Sequence, residues 1–183
     1  MKKFKIVKNI NGIKLIKYFN SNDSRGNFSK IFSSDFFTKL GFKNKVAQIN
    51  ISSNTMRGTV RGFHYQKIPK NDQKILLCNK GSIIDVLIDI RKKSKNFLKI
   101  YKFNLNEKKN NCLFIPKGFA HGFQSLTNNT QVIYIHSQLY HKNLDTGIFP
   151  FDENLNFKWP EKITKVSMRD KNLPKINSSF KGI

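Results

Sequence analysis

Short apolar segments recur along the middle of the chain, and Gly, Asn, Lys or Pro separates each segment from the next. Segments of this length and spacing predict strands. The predicted strands are Val46–Ile51, Ile75–Cys78, Ser82–Ile90, Leu98–Asn104, Asn111–Ile115 and Gln131–Ser137. One short helix is predicted over Ser34–Leu40, with Ser33 or Ser34 as its N-cap and Gly41 just beyond its end. The pattern therefore predicts an all-β protein, either a sandwich or a barrel.

The segment Ser82–Ile90 is apolar on both faces, except at Asp85 and Asp89. A strand of this kind is buried between two layers or lines a barrel. The two aspartates are therefore expected to face inward or to lie at a strand end. Barrels and double sheets enclose pockets lined by alternate residues, so polar side chains on such strands are candidates for a ligand site.

The length of 183 residues suits one domain, and 38% hydrophobic and 13% aromatic residues exclude a disordered chain. No repeat or linker divides the sequence, so we predict a single domain over residues 1–183. No apolar run is long enough to span a membrane, and no leader is recognisable, which predicts a cytoplasmic protein without a membrane partner. Cys78 and Cys112 lie among apolar residues and are expected to be buried thiols.

The formal charge is +23, from 34 Lys and Arg against 11 Asp and Glu, which favours an anionic partner. The basic residues are spread along the chain, and no known nucleic-acid recognition pattern is present, so we predict no nucleic-acid partner. Arginine is the residue that binds phosphate bidentately, and it occurs at five positions. They are Arg25, Arg57, Arg61, Arg91 and Arg169. Of these, Arg57 and Arg91 are expected to be structural or surface residues.

Polar residues alternate with isoleucines at the start of the segment 48–66. Because strand side chains alternate between faces, Gln48, Asn50 and Ser52 share one face, opposite Ile49 and Ile51. This polar face either meets solvent or lines a pocket.

Two histidines stand in distinctive strings. His64 belongs to Arg-Gly-Phe-His-Tyr-Gln, and His121 to Pro-Lys-Gly-Phe-Ala-His-Gly-Phe, which predicts a turn between apolar strands. Each histidine taken alone is compatible with a hydrogen-bonded structural role. A catalytic metal needs about three protein ligands, and only these two side chains are candidates, so no metal site is predicted.

The string Pro-x-Gly-x-x-His resembles the second half of the cupin signature, whereas His64-Tyr65-Gln66 lacks the second imidazole of the metal-binding half. Together with other strings the two windows resemble the nucleotide-sugar 3,5-epimerases, and most closely the dTDP-4-dehydrorhamnose 3,5-epimerase family. The other strings are Asp-Ser-Arg-Gly-Asn-Phe at 23–28, Asp-Val-Leu-Ile-Asp-Ile-Arg at 85–91, Trp-Pro at 159–160 and Ser-Met-Arg-Asp at 167–170. The resemblance runs in order from about Asp23 to Asp170.

This resemblance implies a cupin-type double-stranded β-helix, or jelly roll, with a few short helices and no metal or other cofactor. It implies a homodimer that inverts C3 and/or C5 of a 4-keto-6-deoxyhexose linked to a nucleoside diphosphate. The expected role is in the synthesis of deoxysugars for cell-surface polysaccharides such as lipopolysaccharide O-antigen.

Epimerisation beside a ketone needs a base, a donor to the enolate oxygen and an acid on the opposite face. By resemblance, His64 is the base and Asp170 orients and stabilises its imidazolium. Lys74 is expected to lie near the enolate oxygen, and Tyr134 to return the proton. Substrate-binding roles are implied for Arg25, Gln48, Asn50, Arg61, His121, Tyr140, Asp145 and Arg169, with Tyr140 stacking on the base.

The chain departs from the family pattern at three positions. Lys30 replaces a Glu that helps to read the base, Asp72 replaces a Gln, and Ile135 stands where Lys is common. The nucleotide and the number of inverted centres are therefore open. Alternatives are a mono-epimerase or ketoisomerase acting on a CDP-, GDP- or dTDP-ketosugar, a non-catalytic cupin that binds sugar or nucleic acid, and a metal-dependent dioxygenase cupin.

Overall fold

The computed structural model describes residues 3–43 and 45–183, which form mainly antiparallel β-structure. The strands are β1 Phe4–Ile10, β2 Ile13–Tyr18, β3 Asn20–Asp23, β4 Gly26–Ser29, β5 Gln48–Asn54, β6 Val60–Gln66, β7 Lys74–Lys80, β8 Ser82–Asp89, β9 Ile100–Asn106, β10 Asn111–Ile115, β11 Phe119–Ser125, β12 Thr130–His136 and β13 Asp145–Gly147. The α-helices are α1 Ser34–Lys39 and α2 Met168–Lys171, and 3-10 turns lie at Glu107–Lys109 and Glu153–Leu155.

The strands form two main sheets and one separate hairpin. One sheet has the order β1-β2-β10-β7-β12-β5, the other has the order β13-β6-β11-β8-β9, and β3 pairs with β4. From β5 onward the chain passes repeatedly from one sheet to the other, as expected of a jelly roll. The prediction of an all-β, cupin-type fold with a few short helices is confirmed.

The main core lies between the two sheets. Leu76 and Leu113 of the six-stranded sheet belong to one buried cluster with Leu87 and Phe123 of the five-stranded sheet. Fully burying each such side chain stabilises the fold by about 1.5–3 kcal/mol. The six-stranded and five-stranded sheets therefore hold each other in place, and polar groups pointing between them are fixed by the same packing.

The outer face of each sheet is also covered. Phe37 of α1 and the following Phe42 pack over the six-stranded sheet. The segment after β13 packs over the five-stranded sheet, where Trp159 stacks on Phe63 with ring centroids 5.3 Å apart. The indole N–H of Trp159 donates to the carbonyl of Pro150 at 2.9 Å, so its polar atom is satisfied in this apolar layer. The outer face of strand β6 is therefore packed against the segment that follows β13.

All six strand predictions correspond to observed strands, with bounds that differ by a few residues. The helix is also confirmed, although Ser33 at the N-cap position makes no side-chain capping hydrogen bond. Gly41 follows the helix with a φ of +105°, as expected for a residue that ends it. Asp85 and Asp89 are both buried, as the apolar pattern around them predicted.

The hairpin of β1 and β2 is absent from the strand predictions, although its sequence carries a signal. Asn11 and Gly12 connect the strands with positive φ angles of 54° and 87°. Two such residues form the tight turn that suits the twist of a hairpin. Alternating residues around an Asn-Gly pair therefore indicate this hairpin.

The predicted turn at His121 is wrong, because His121 lies within β11. Residues 116–118 complete the turn by themselves, and Gly118 has a φ of +85°. The chain then runs between β6 and β8 and pairs with both, so it is extended at His121. Proline and glycine marked the turn correctly, but the strand begins immediately after them.

The predictions for the two cysteines and for Arg57 and Arg91 are confirmed. Cys78 and Cys112 are buried and free, and burial raises the pKa of each thiol to about 12. Arg91 pairs with the buried Asp89, whereas Arg57 pairs with Glu161 at the surface. Within residues 3–43 and 45–183, no helix is long and apolar enough to cross a membrane.

Candidate active site

A pocket of about 300 Å³ opens beside the edge strand β5, and both sheets contribute to its walls. It is lined by Gln48, Asn50, Ile51, Ser52, Arg61, His64, Tyr65, Gln66, Asp72, Lys74, His121, Phe123, Tyr134, His136, Gln138, Tyr140, Asp145 and Arg169. Three of the four histidines of the chain are in this set, and each is hydrogen-bonded to an aspartate. This concentration of titratable groups makes the pocket the candidate active site.

Strand β5 places its polar residues along the pocket wall. Gln48, Asn50 and Ser52 line the pocket, and Ile51 also contributes to the lining, whereas Ile49 does not. Ile49 and Ile51 are 62% and 66% exposed on this edge strand. The shared polar face predicted from the sequence is confirmed. It faces the pocket because β5 pairs through β12 with the rest of the six-stranded sheet.

His64 on β6 donates from Nε2 to Oδ1 of Asp170 at 2.7 Å. Asp170, in α2, also accepts from the backbone N–H of Gly62 at 3.2 Å, and Ser167 caps the same helix turn. Burial opposes ionisation of Asp170, but hydrogen bonding, above all from His64, outweighs it and holds the pKa of this carboxyl below its ordinary value. The carboxylate is therefore ionised and fixes the imidazole, whose Nδ1 remains for a ligand.

Glycine at position 62 allows β6 and β11 to come unusually close at the site. Gly62 has a φ of +126°, and a Cβ atom there would lie 2.4 Å from Cα of Gly122. The same close pairing sets His64 directly opposite His121. The glycine thus permits the close approach of β6 and β11 beside the paired histidines.

His121 forms the second pair, in which its Nε2 donates to Oδ2 of Asp85 at 2.7 Å. Both side chains are almost completely buried. Burial lowers the pKa of His121 and so favours the neutral ring, although the charge of Asp85 acts in the opposite direction. The other oxygen of Asp85 is buried without a hydrogen-bond partner among the described residues.

Tyr134 on β12 presents a hydroxyl that has no hydrogen-bond partner in the described part of the chain. Its ring lies edge-on to His121, with centroids 5.9 Å apart. Burial, followed by the charge of Asp85, raises the pKa of Tyr134 well above its ordinary value. The phenol consequently keeps its proton and is free to donate it to a ligand.

Lys74 begins β7 and reaches the same pocket. Burial lowers the pKa of its ammonium, while Asp72, Asp145 and Asp85 act in the opposite direction. Lys74 takes part in no ion pair with the residues that the structure describes. Its charge is therefore available to a bound molecule.

The remaining predicted binding residues form the rim. Arg61 donates from Nε to Asn54 at 2.7 Å, and Gln48 accepts from the backbone N–H of Tyr140 at 2.8 Å. An ion pair between Arg169 of α2 and Asp145 of β13 lies at the edge of the pocket. The structure thus brings together ten of the twelve predicted site residues in the pocket lining, and Asp170 stands behind His64.

Arg25 is the exception. It lies in the turn between β3 and β4, pairs with Asp23 and has a side chain that is 88% exposed. It does not line the pocket of its own chain.

The pair formed by His136 and Asp72 was not assigned from the sequence. His136 donates from Nδ1 to Oδ2 of Asp72 at 2.6 Å, and both residues line the pocket. A sequence signal for His136 exists, because it lies two residues after Tyr134 on β12 and residues two apart on a strand share one face. Among the residues described, no group of three or more His, Cys, Asp or Glu is arranged to hold a metal ion.

Known proteins with related sequences and structures share this fold. The sequence model for dTDP-4-dehydrorhamnose 3,5-epimerase matches residues 7–178. The dTDP-4-dehydrorhamnose 3,5-epimerase of Shigella flexneri is 36% identical over 151 residues, which are 82% of this chain and 83% of the relative. A dTDP-4-dehydro-6-deoxyglucose 3-epimerase of a Streptomyces species is 31% identical over 156 residues, or 84% of this chain and 79% of the relative.

Among solved structures, a dTDP-4-dehydrorhamnose 3,5-epimerase from Bacillus anthracis, with TDP and pyrophosphate bound, superimposes with a TM-score of 0.89. It is 32% identical, and the match covers 94% of this chain and 99% of that one. Sequence and fold agree over nearly the whole length, so the chain belongs to the dTDP-4-dehydrorhamnose 3,5-epimerase family.

Proposed function

We propose that the chain inverts C3 and/or C5 of a dTDP-linked 4-keto-6-deoxyhexose, as an isomerase of deoxysugar synthesis. The observation that carries the proposal is one pocket containing His64, held by the buried Asp170, together with the unpartnered hydroxyl of Tyr134 and the ammonium of Lys74. Family membership supports the same reaction class.

The first step is removal of a proton from a carbon beside the ketone. Asp170 occupies Nε2 of His64, so Nδ1 is the basic nitrogen that takes the proton. The electrons of the broken C–H bond move into the enolate. The ionised Asp170 then stabilises the imidazolium, as a carboxylate does for other catalytic histidines.

The enolate oxygen needs positive charge or hydrogen-bond donors. Lys74 supplies an ammonium that is half-buried in the pocket wall, where an electrostatic interaction is stronger than in bulk water. Because Lys74 forms no salt bridge with the described residues, its charge can interact with the substrate.

Inversion is completed when a proton is delivered from the opposite face. Tyr134 retains its phenolic proton because burial raises its pKa, and it donates that proton to the carbon as the enolate collapses to the ketone. His64 then releases its proton to solvent, and Tyr134 regains one, so the reaction leaves no net change in the enzyme.

The substrate's nucleotide portion occupies the rim in this proposal. Its diphosphate is dianionic, and Arg61 and Arg169 can form charge-assisted hydrogen bonds with it. Gln48, Asn50 and His121 supply further polar contacts, and the exposed ring of Tyr140 is available to stack on the base.

The position of Arg25 leads to a proposed homodimer. The β3–β4 hairpin carries Arg25 and the 71% exposed Phe28 away from the pocket, while Ile49 and Ile51 are exposed on the edge strand β5. Exposed apolar edges of this kind invite pairing with another chain. We propose that each hairpin places Arg25 at the pocket of the partner subunit.

Mixing two variants tests this arrangement. Alone, Arg25→Ala should be weakly active and His64→Asn inactive, whereas mixed dimers contain one site with both native residues and should recover activity. A monomer by light scattering, or mixtures without recovery, would refute the shared site.

We further propose that the chain is a single domain in the cytoplasm. The buried clusters extend over both sheets and include residues from Phe4 to Ile176, which supports one folding unit. Two free, buried cysteines are consistent with a reducing compartment. One cooperative unfolding transition and recovery in the soluble fraction of cells are the corresponding tests.

The reaction is tested by proton NMR in deuterium oxide with dTDP-4-keto-6-deoxyglucose. A 3,5-epimerase washes out the C3 and C5 proton signals and forms a new sugar isomer. The similarity to 3-epimerases favours a mono-epimerase as the second candidate, which would exchange C3 alone. No exchange with dTDP-, CDP- or GDP-linked ketosugars would reject both functions and favour a ligand-binding cupin.

A further inference from the structure

The acid–base scheme leaves one histidine of the pocket without a role. His136 donates from Nδ1 to Oδ2 of Asp72, and Oδ1 of Asp72 accepts from the backbone N–H and hydroxyl of Ser137, both at 2.9 Å. The backbone N–H of Gln138 donates to the same oxygen at 3.1 Å. A carboxylate bound by this many donors is firmly placed, so it holds the imidazole in one orientation.

This orientation leaves only one ring nitrogen for a ligand. The imidazole of His136 stacks on the ring of Tyr134, with centroids 5.7 Å apart and an interplanar angle of 16°. Nδ1 is occupied by Asp72, so Nε2 is the remaining nitrogen, and it lies 3.4 Å from the side-chain nitrogen of Asn50. That contact is long, and His136 remains 14% exposed in the pocket lining.

The position of His136 in the sheet indicates which part of a ligand it meets. It lies opposite Lys74 of β7 on one side and opposite Gln48 of β5 on the other. The proposed function puts Lys74 at the sugar carbonyl, and it puts Tyr140, which is hydrogen-bonded to Gln48, at the base. In a dTDP-linked sugar, the diphosphate and the deoxyribose lie between the hexose and the base, and the diphosphate is the anionic group next to the hexose.

We propose that His136 donates a hydrogen bond from Nε2 to the diphosphate of the nucleotide sugar, and that Asp72 holds the ring for this contact. The inference rests on the proposed function for the direction in which the substrate lies. In the protonated ring both nitrogens donate, one to Asp72 and the other to a phosphate oxygen. Such a charge-assisted bond is stronger than one between neutral groups.

Calorimetric titration with thymidine and with dTDP tests the contact. His136→Phe keeps a ring against Tyr134 but removes the donor. It should weaken dTDP binding about tenfold or more and leave thymidine binding unchanged. His136→Gln retains a side-chain N–H and should recover part of the affinity. His141→Phe, an exposed change outside the pocket, is the matched control.

Asp72→Asn provides a second variant that leaves the imidazole present. It should weaken dTDP binding in the same direction as His136→Phe, but less. Unchanged dTDP affinity in both variants, or equal losses for thymidine and dTDP, would overturn the proposal. If the two variants lose affinity only for the complete nucleotide sugar and not for dTDP, the proposal is also overturned, since the contact would then be with the sugar.

These binding measurements do not depend on turnover. If the wild type shows a His136-dependent affinity for dTDP but never exchanges C3 or C5 protons, the proposed reaction fails and the diphosphate contact stands. If exchange is seen and dTDP binding is insensitive to His136, the reaction stands and the contact fails. A wild type that does not bind dTDP refutes the contact.

Discussion

His64 and His121 lie directly opposite each other on β6 and β11, yet each donates from Nε2 to a different buried aspartate, Asp170 or Asp85. The side chain of His64 is 28% exposed, whereas that of His121 is 5% exposed. Burial lowers the pKa of His121 and favours its neutral form. This difference fits the proposed reaction, in which His64 exchanges protons and His121 binds the substrate.

Replacing Asp170 by Asn should impair chemistry more than binding. The variant loses the carboxylate that stabilises the His64 imidazolium, and general acid–base catalysis contributes about 10²–10⁴-fold in rate. We expect kcat to fall within that range and KM to change little, because Asp170 stands behind the pocket wall. Steady-state kinetics measure both. Glu161→Gln, which alters a surface ion pair with Arg57, should keep wild-type kinetics. Wild-type kcat in Asp170→Asn would contradict the dyad.

Replacing Lys74 by Met should lower kcat about a hundredfold or more, because the enolate oxygen loses its ammonium. The matched control is Lys80→Met, at the exposed end of the same strand, which should leave kcat unchanged. Comparable losses in the two variants would indicate damage to β7 instead of a specific role for Lys74.

Asp89 should stabilise the fold in a pH-dependent way. Burial opposes its ionised form, but hydrogen bonds from Arg91, Ser94 and Asn11 outweigh burial and hold its pKa below the ordinary value. The carboxylate therefore contributes its full stability above the unfolded pKa of about 3.9, and that contribution is lost as pH falls through the folded pKa.

Breaking this buried pair with Asp89→Asn should cost about 3 kcal/mol of unfolding free energy at neutral pH. The difference from wild type should begin to shrink below about pH 4, where Asp89 is protonated in the unfolded state, and should be lost as pH falls through the lower folded pKa. Urea unfolding across this range measures it. Asp23→Asn, at an exposed ion pair, should change stability little. A difference that is constant with pH would show that the charge of Asp89 is not the cause.

The two thiols should be unreactive in the folded protein. Cys78 and Cys112 are buried, and burial raises the pKa of each to about 12, so almost no thiolate exists near pH 8. A colorimetric thiol reagent should detect no rapid reaction in the native state and two thiols in denaturant. Rapid native labelling of either cysteine would contradict the observed packing.

Several features of this protein could be predicted from sequence because they depend on local patterns. Alternation predicted the common face of Gln48, Asn50 and Ser52, and the apolar surroundings of Asp85 predicted its burial. The turn before β11 was also recognisable from its proline and glycine. The extended conformation of His121 depends on pairing with two neighbouring strands, which no local pattern specifies.

The missing parts of the site depend on contacts that are distant in sequence. His136 meets Asp72 across 64 residues, and its role could not be read from a single apolar strand. The family resemblance identified Lys74 and Tyr134 as candidate site residues. It also marked Asp72 as a departure from the family pattern, but it did not indicate that Asp72 pairs with His136. Arg25 does not line the pocket of its own chain, and its proposed role depends on a partner subunit that the pattern of one sequence does not reveal.

In the proposed reaction, His64 and Tyr134 act on opposite faces of the same carbon. This arrangement is tested most directly by NMR in deuterium oxide with His64→Asn and Tyr134→Phe, using dTDP-4-keto-6-deoxyglucose. We expect no exchange in His64→Asn. We expect exchange without inversion in Tyr134→Phe, because His64 still removes the proton and returns deuterium to the same face. Inverted product from Tyr134→Phe, or continued exchange in His64→Asn, would contradict the two-sided mechanism.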